Sequence, residues 1–391
     1  MPESKLTSAK VRLTVFVSTL TIGGAEQLLL DFLAEINQDK FDLFVCFLKD
    51  PGILGHELIR SGVPAVSNLL ERRFDPTTPF KLARILSARH TDLLLLINHR
   101  DALFYGVPAA RIAGINAIVN WINETHKKYS SHRLTMLGRK ILHLGVSKVV
   151  AAASGHAEYL ASVEGISRSK LEVIYNGVDI DRCRSGLTPS QAKEKTGIPA
   201  SCPTISMIAA LRPDKDHGVF LQAARIVLES FPNTHYLIVG DGPMKPCLIT
   251  IARELGIFPN THFLGFRRDI QDILAGTDIC VLATKPEQET LSVAVIESMI
   301  AGIPIVCTDV GFMKEIIRSE ETGLLVKMGD HRDLAEKIKM LLNDAPLRCR
   351  IGKAAQEFAL AKLTQECMTQ AFEVLFLNLL GREHIPGGRF Q

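Results

Sequence analysis

The sequence predicts an α/β protein built from two doubly wound parallel sheets. The chain has 391 residues, of which 47% are hydrophobic and 22% charged, and this is enough for two domains with separate cores. Strand-like apolar runs alternate with helical stretches in two separate series. Parallel sheets with crossover helices require such alternation. A polar segment with several prolines, residues 186–203, lies between the two series and is predicted to be a linker.

The first series predicts an N-terminal domain over residues 1–185. Its strands are expected at 11–17, 41–48, 92–97, 117–121 and 148–153. Helical patterns fill the gaps, starting near Ala25 and continuing at 79–89, 102–113 and 133–144. Gly23 and Gly24 follow the first strand and precede the first helix. A glycine pair at a helix mouth lets the backbone approach a phosphate, although a plain strand-to-helix turn has the same pattern.

The second series predicts a C-terminal domain over residues 204–360. Its strands are expected at 204–211, 235–240, 261–265, 278–282 and 303–307. One long helical stretch, 353–380, follows them, so residues 361–391 are assigned to a helix and a tail.

Two glutamates eight positions apart mark the strongest candidate site. Glu289 precedes a predicted helix that ends at Gly302, and Glu297 lies about two turns into it. Between them, the amides of Thr290, Leu291, Ser292 and Val293 are expected at the helix mouth, where anions are favoured. This arrangement suits a ligand with phosphates in the middle and hydroxyls at both ends, such as a nucleotide sugar. Two solvated glutamates beside a helix are the structural alternative.

The same stretch carries a family resemblance. Its pattern E-x7-E followed by S-M-x-A-G-x-P-I-V resembles the signature of the retaining GT-B glycosyltransferases of family four. Further matches are G-D-G-P at 240–243, F-L-G-F at 263–266 and G-L-L-V at 323–326. The resemblance implies two Rossmann-like domains that face each other across a cleft, with a C-terminal helix that crosses back to the first domain.

The resemblance also assigns roles to individual residues. It implies that Glu289 contacts the donor sugar and that Glu297 holds the ribose hydroxyls. It places His126 near the donor sugar and the G-G-A-E run of Gly23 and Gly24 beside the diphosphate. The remaining donor-binding residues expected on this basis are Phe266 and Arg267, together with the amides from Thr290 to Val293.

The predicted phosphate clamp departs from the family pattern. The family has an arginine five residues before a lysine, and here Lys215 matches while Ala210 stands in place of the arginine. Arg212 is the nearest guanidinium. If the preceding strand continued this far, alternation would turn residue 212 to the same side as residue 210. Arg212 and Lys215 are therefore predicted to neutralise charge on the leaving diphosphate.

The predicted reaction needs no cofactor beyond the nucleoside diphosphate sugar, which is a co-substrate. The sequence has no Asp-x-Asp cluster and no His or Cys spacing typical of metal ligands, so no metal site is expected. No residue is an obvious covalent nucleophile. The family is usually assigned a same-face route with retention, in which the leaving phosphate helps to deprotonate the acceptor. The predicted function is sugar transfer to a hydroxyl acceptor in bacterial polysaccharide or glycolipid synthesis.

A basic amphipathic segment, 127–144, is a candidate surface for binding a membrane or an acceptor. Its basic residues and its apolar positions at helical spacing fit either a helix docked on its own sheet or a surface that meets anionic lipid or a lipid-linked acceptor. The net charge of +3 is too small to predict nucleic-acid binding. Eight cysteines without a C-x-x-C pair, and an N-terminus without an apolar signal core, predict a cytoplasmic protein, with peripheral attachment to the inner membrane face left open.

Rival functions follow from the same residues. A nucleotide-sugar epimerase or a sugar phosphorylase would use the same scaffold, and a non-catalytic nucleotide-sugar-binding protein would tolerate the change at Ala210. A dinucleotide oxidoreductase is disfavoured, because Lys245 stands where the third glycine of its fingerprint belongs after Gly240 and Gly242.

Overall fold

The computed structural model describes residues 9–21, 23–72, 75–97, 100–123, 125, 133–285 and 289–382. The chain divides into two compact units. The first takes its described residues from 1–123, 129–174 and 368–391, and the second from 124–128 and 175–367.

The first unit contains a seven-stranded sheet in which every paired strand is parallel. Its strands are β1 Val11–Val17, β2 Phe41–Phe47, β3 Ala65–Val66, β4 Leu93–Ile97, β5 Ala117–Ile122, β6 Lys148–Ala151 and β7 Leu171–Val173. Their order across the sheet is β3-β2-β1-β4-β5-β6-β7, the arrangement of a doubly wound fold. The five predicted strands are confirmed; β3, with two residues, is too short to produce a periodic signal.

Within the described residues, six helices connect these strands: α1 Gly24–Glu35, α2 Gly52–Arg60, α3 Thr78–Ala88, α4 Arg100–Ile112, α5 Arg133–Leu144 and α6 Ser154–Ser162. The buried core includes β4, in which all five side chains are buried, as expected for a central strand covered on both faces.

The second unit contains a six-stranded parallel sheet. Its strands are β8 Thr204–Ile208, β9 His235–Val239, β10 Thr261–Gly265, β11 Ile279–Leu282, β12 Ile305–Thr308 and β13 Leu324–Val326, in the order β10-β9-β8-β11-β12-β13. Its helices are α7 Pro189–Lys195, α8 His217–Ser230, α9 Lys245–Glu254, α10 Ile270–Ala275, α11 Val293–Ile300, α12 His331–Asn343 and α13 Ala345–Lys362. The prediction of two parallel, doubly wound sheets is confirmed.

The segment expected to be a linker, 186–203, is part of the second unit. It carries α7, which begins with a capping box between Thr188 and Gln191. The buried Lys193 side chain contacts Asp278 at 2.7 Å and donates to the Cys202 carbonyl at 2.8 Å. Buried charge needs such partners, and these contacts hold the segment against the second sheet.

The C-terminal helical stretch is broken, whereas one long helix was predicted. Helix α13 ends at Lys362, and α14 Gln365–Leu379 begins after Thr364, whose hydroxyl accepts a hydrogen bond from the Cys367 amide. Residues from 368 onward belong to the first unit. Phe372 packs there at 4.7 Å from Trp121 and 5.0 Å from Phe32, measured between ring centroids. The predicted return of the C-terminal helix to the first unit is confirmed.

Helix α5 leaves an apolar stripe exposed instead of docking it on the sheet. Leu137, Ile141 and Leu144 are 55%, 58% and 75% exposed, and their spacing places them on one helix face. The buried His143 faces inward from the same helix, while Arg139 pairs with the buried Glu164 at 2.5 Å. In the described part of the chain, no helix is long and apolar enough to cross a membrane.

Candidate functional site

Lys215 and Glu289, two of the predicted site residues, lie on the loops that follow the two central strands of the second unit, β8 and β11. The strand order reverses at β8 and β11, and ligands of open parallel sheets bind beyond the carboxyl ends of strands at such a reversal. The loops after β8 and β11 are joined at the Asp214 carbonyl. It accepts hydrogen bonds from the Thr284 hydroxyl at 3.0 Å and from the Lys285 amide at 2.8 Å.

The structure brings two of the predicted catalytic residues into contact. Lys215 Nζ donates a hydrogen bond to Glu289 Oε2, and the two side chains are 16% and 10% exposed. Lys215 ends a single 3-10 turn, Pro213–Lys215, and the left-handed residue Asp216 follows it at φ 46°. A charge-assisted contact with so little exposure is strong, so it fixes the relative position of the two loops.

The mouth of α11 lies directly after Glu289 in the chain. Ser292 is the N-cap residue, and its side chain makes no capping hydrogen bond. The amides of the first helical turn have no intrahelical acceptor, and the helix dipole makes this end positive. Thr290, Leu291 and Ser292 are buried. The predicted amide segment from Thr290 to Val293 therefore lies at a helix N-terminus, a favourable place for phosphate.

A glycine that the sequence reasoning missed supports this loop from the next strand. Gly311, after β12, has a φ of +57°, and a Cβ there would lie 2.5 Å from the Glu289 carbonyl oxygen and 2.9 Å from that of Thr290. Phe312 donates its amide to the Thr290 carbonyl at 3.1 Å. Only a residue without a side chain fits so close to that backbone.

Glu297 is buried on the flank of α11, with a side chain only 6% exposed. Arg182 Nη2 lies 3.6 Å from Glu297 Oε1. The Cys280 thiol is also nearby: burial raises its pKa to about 11, and the negative charge of Glu297 contributes in the same direction. Arg182 carries no recognisable sequence signal, because it lies more than 100 positions away from Glu297.

The segment that contains Arg182 belongs to the second unit. Strand β7 is in the first unit, but the chain joins the second at Tyr175. There Asn176 Nδ2 donates to the Leu291 carbonyl at 3.3 Å, next to the mouth of α11. The turn after β7 is thereby part of the wall of the candidate site.

Arg212 does not lie on a strand, contrary to the argument that predicted its direction. Strand β8 ends at Ile208, and the Arg212 amide donates back to the Ala210 carbonyl at 2.8 Å in a tight turn. Its guanidinium binds both carboxylate oxygens of Asp214, at 3.2 and 2.9 Å, and is 49% exposed. Because the strand does not reach residue 212, strand alternation does not set the direction of the Arg212 side chain, and the role of Arg212 toward a diphosphate stays a prediction.

His217, the first residue of α8, is a further site feature that the sequence did not reveal. It is 2% exposed, and neither ring nitrogen has a hydrogen-bond partner in the described part of the chain. Burial lowers its pKa to about 4, and the adjacent Lys215 charge acts in the same direction. The imidazole is consequently neutral at physiological pH and adds no positive charge beside Lys215.

Other predicted donor-binding residues lie further from this pair of loops. Phe266 and Arg267 follow β10, the edge strand, and β9 separates β10 from β8. Phe266 is 48% exposed, while Arg267 makes two hydrogen bonds to Asp269 at 2.7 and 2.6 Å. This contact raises the pKa of Arg267 and lowers that of Asp269.

The glycine pair lies in the first unit, at the start of α1. Gly23 is the N-cap residue, with extended backbone and no side-chain cap. The Glu26 carboxylate lies over Gly23, where a Cβ would collide with it, and accepts a hydrogen bond from the Thr21 hydroxyl at 3.3 Å. A glutamate thus already occupies the mouth of this helix. His126 lies outside the described residues.

Across the described ranges, no group of three or more His, Cys, Asp or Glu side chains is arranged to hold a metal ion. All eight cysteines are free thiols, and Cys46, Cys280 and Cys307 are among the buried ones. Burial raises the pKa of Cys46 to about 12.

Known structures share this fold over nearly the whole chain. The Anabaena protein HepE in complex with UDP superposes with a TM-score of 0.83 at 21% identity, covering 94% of this chain and all of that one. A glycosyltransferase from Rickettsia africae gives a TM-score of 0.84 at 20% identity, covering 96% of this chain and all of that one.

Curated relatives are similar over shorter stretches. The N-acetyl-alpha-D-glucosaminyl L-malate synthase of Bacillus anthracis is 28% identical over 63% of this chain and 66% of its own length. The Escherichia coli UDP-Gal:alpha-D-GlcNAc-diphosphoundecaprenol alpha-1,3-galactosyltransferase is 22% identical over 83% of this chain and 86% of its own. Bacillus subtilis putative glycosyltransferase EpsD is 30% identical, and the chain spans about half of its length, 48%.

Two family models match consecutive parts of the chain. The model described as Glycosyltransferase Family 4 matches residues 22–182, and the one described as Glycosyl transferases group 1 matches residues 190–358. The second match contains Lys215, Glu289 and Glu297. The chain belongs to the GT-B glycosyltransferases of the family 4 and group 1 type.

Proposed function

We propose that this protein transfers a sugar from a nucleoside diphosphate sugar to a hydroxyl acceptor, with retention of configuration and without a metal cofactor. The observation that carries the proposal is the contact of Lys215 with Glu289 beside the mouth of α11. A cation and a set of helix-mouth amides suit a diphosphate. A carboxylate at the same place suits the hydroxyls of the sugar attached to it.

In this proposal the second unit stabilises the departing diphosphate. The bond between sugar C1 and the diphosphate oxygen breaks while the acceptor oxygen bonds to C1, and the acceptor proton passes to the leaving diphosphate. Negative charge therefore grows on the diphosphate, next to Lys215 and the α11 amides. Prearranged donors of this kind contribute more to the transition state than to the ground state. Glu289 holds the sugar, and the buried Glu297 holds the ribose hydroxyls.

The relatives support particular substrates as the first to be tested. HepE of Anabaena has been solved with UDP-glucose, and the name of the E. coli relative specifies a UDP-galactose donor and a diphosphoundecaprenol-linked acceptor. A relative from Rhizobium meliloti is a lipopolysaccharide core biosynthesis glycosyltransferase. We therefore propose a UDP-sugar donor and a sugar or lipid-linked acceptor, in bacterial polysaccharide or glycolipid synthesis.

The exposed stripe of α5 supports a place for this reaction at the inner face of the plasma membrane. Three large aliphatic side chains, Leu137, Ile141 and Leu144, lie exposed on one face. Lys140 is exposed beside them, while Arg139 turns inward to Glu164. An apolar stripe beside a cation suits the interface of anionic lipid. The protein would be cytoplasmic and peripherally attached, near a lipid-linked acceptor.

The proposal is tested by sugar transfer in the presence of EDTA. Purified protein with a UDP-sugar and a lipid-diphosphate or sugar acceptor should form a glycoside whose anomeric configuration, read by NMR, equals that of the donor. Chelation should leave the rate unchanged, because helix amides and Lys215 supply the positive charge that a metal would otherwise provide. An inverted product, or a rate that collapses in EDTA and returns with magnesium, contradicts this mechanism. Donor turnover without an acceptor points to an epimerase instead.

Arg212 provides a sharper test of the diphosphate site. We expect Arg212→Ala to lower turnover by about 100-fold, the scale of one lost oxyanion donor, with a smaller effect on donor affinity. Exposed ion pairs such as Arg212 with Asp214 are weak, so a doubly charged diphosphate can displace Asp214. Arg212→Lys should recover part of the rate, because it keeps the charge without the planar fork.

The matched control for this variant is Arg225→Ala. Arg225 is also 49% exposed and is paired with Glu229 at 3.7 Å, but it lies on α8 outside the two loops. Turnover of Arg212→Ala within a few-fold of Arg225→Ala would show that Lys215 and the amides suffice.

The membrane proposal predicts sedimentation with vesicles. The protein should sediment with vesicles of anionic lipid at low salt and less so as salt rises, through screening of the electrostatic part. Replacing Leu137, Ile141 and Leu144 together by serine should abolish sedimentation. Met328→Ser, a control at an equally exposed apolar residue of the second unit (51%), should not. Equal sedimentation of both variants would show that the exposed face of α5 does not bind the membrane.

A further inference from the structure

Arg182 and Glu297 form an ion pair whose partners differ in exposure. Arg182 Nη2 lies 3.6 Å from Glu297 Oε1, and the side chains are 33% and 6% exposed. The carboxylate is almost completely removed from water, while the guanidinium remains at the surface. An ionised carboxylate in such surroundings is costly without a nearby cation. Arg182 supplies that cation from a distant part of the chain.

The backbone around Arg182 is fixed by the second unit. Val178 is fully buried; its amide donates to the Leu363 carbonyl and its carbonyl accepts from the Gln365 amide, both at 3.0 Å. Asp181 donates its amide to the Asp179 side chain at 2.9 Å. These contacts anchor the chain just before Arg182.

The residue after Arg182 is anchored as well. Cys183 is buried, and its thiol lies 3.4 Å from the Asp179 carbonyl. With fixed points on both sides, the backbone position of Arg182 is set by the fold of the second unit. Burial keeps the Cys280 thiol, which also senses the charge of Glu297, neutral, with a pKa of about 11.

We propose that Arg182 is a positioning residue that keeps Glu297 ionised and oriented for the ribose hydroxyls of the donor nucleotide. This inference rests on the proposed function. An ionised carboxylate accepts hydrogen bonds at both oxygens, whereas a protonated one gives up acceptor capacity. Arginine can only donate hydrogen bonds. Arg182 therefore cannot take the place of Glu297 as the acceptor for the ribose hydroxyls. Arg182 acts through Glu297, and its effect is confined to nucleotides that carry ribose hydroxyls.

The test compares a nucleoside diphosphate with its 2′,3′-dideoxy analogue. Calorimetric titration with UDP and with dideoxy-UDP (or the GDP pair, if GDP binds instead) gives a preference ratio for each variant. The wild-type protein should prefer UDP by about ten-fold or more, the scale of hydrogen bonds to a charged group. Arg182→Gln should reduce that preference to about three-fold or less and leave the dideoxy affinity nearly unchanged. Arg182→Lys should restore it, because a charge at 3.6 Å does not need the planar fork.

Arg184→Gln is the matched control. Arg184 lies two residues further on and is exposed, so its loss changes the net charge equally and should leave the preference ratio at the wild-type value. Glu297→Gln should give the same reduced preference ratio as Arg182→Gln. The double variant should show no further reduction in that ratio, because Arg182 acts through Glu297.

The outcomes separate this inference from the proposed function. A wild-type protein that binds neither UDP nor GDP contradicts the proposed function itself. A wild-type protein that binds and distinguishes the analogues, with Arg182→Gln distinguishing them equally well, overturns the role of Arg182 alone. Equal weakening of UDP and dideoxy-UDP by Arg182→Gln also overturns it, because that result indicates a general loss of charge or structure.

Discussion

The site of the second unit depends on the ion pair between Lys215 and Glu289. Lys215 stands at the end of the loop after β8, and Glu289 stands before α11, so this single contact joins the two strands at which the sheet order reverses. The Asp214 carbonyl joins the same loops through two further hydrogen bonds. Gly311 allows the loop after β12 to pack against the Glu289 backbone. The mouth of α11 is consequently held in a fixed place beside a cation.

Acidic neighbours accompany the cations around this site. Lys215 pairs with Glu289, Arg212 with Asp214, and Lys285 with Asp216 at 3.7 Å. A diphosphate bound here, as we propose, would have to displace these carboxylates from the cations. The cost of separating these ion pairs offsets part of the attraction between the cations and the diphosphate. The site therefore favours a ligand whose negative charge grows during the reaction. The least exposed of these pairs, Lys215 with Glu289, should resist exchange most.

Most of the fold and part of the geometry of the candidate site could be predicted from the sequence, for physical reasons. Buried parallel strands and their helices leave periodic patterns, and the glutamates at 289 and 297 are close in sequence, so one helix suffices to relate them. Strand ends depend on hydrogen bonds to neighbouring strands, which a local pattern does not show, so the strand predicted to reach Leu211 ends at Ile208. Arg182 and Gly311 could not be found, because their partners are fixed by tertiary packing over distances that no local pattern spans.

The most direct measurement is a calorimetric titration of UDP into the wild-type protein, Lys215→Ala and Glu289→Gln, with sugar transfer measured in parallel. If the ion pair marks the diphosphate site, Lys215→Ala should weaken UDP binding by about ten-fold or more, the scale of a charged contact. Glu289→Gln should keep or increase UDP affinity, because it releases Lys215 from its ion pair. Sugar transfer by this variant should fall by about 100-fold or more, because the contact of Glu289 with the sugar is lost. Equal weakening of UDP binding by both variants, or unchanged binding in both, would contradict the account.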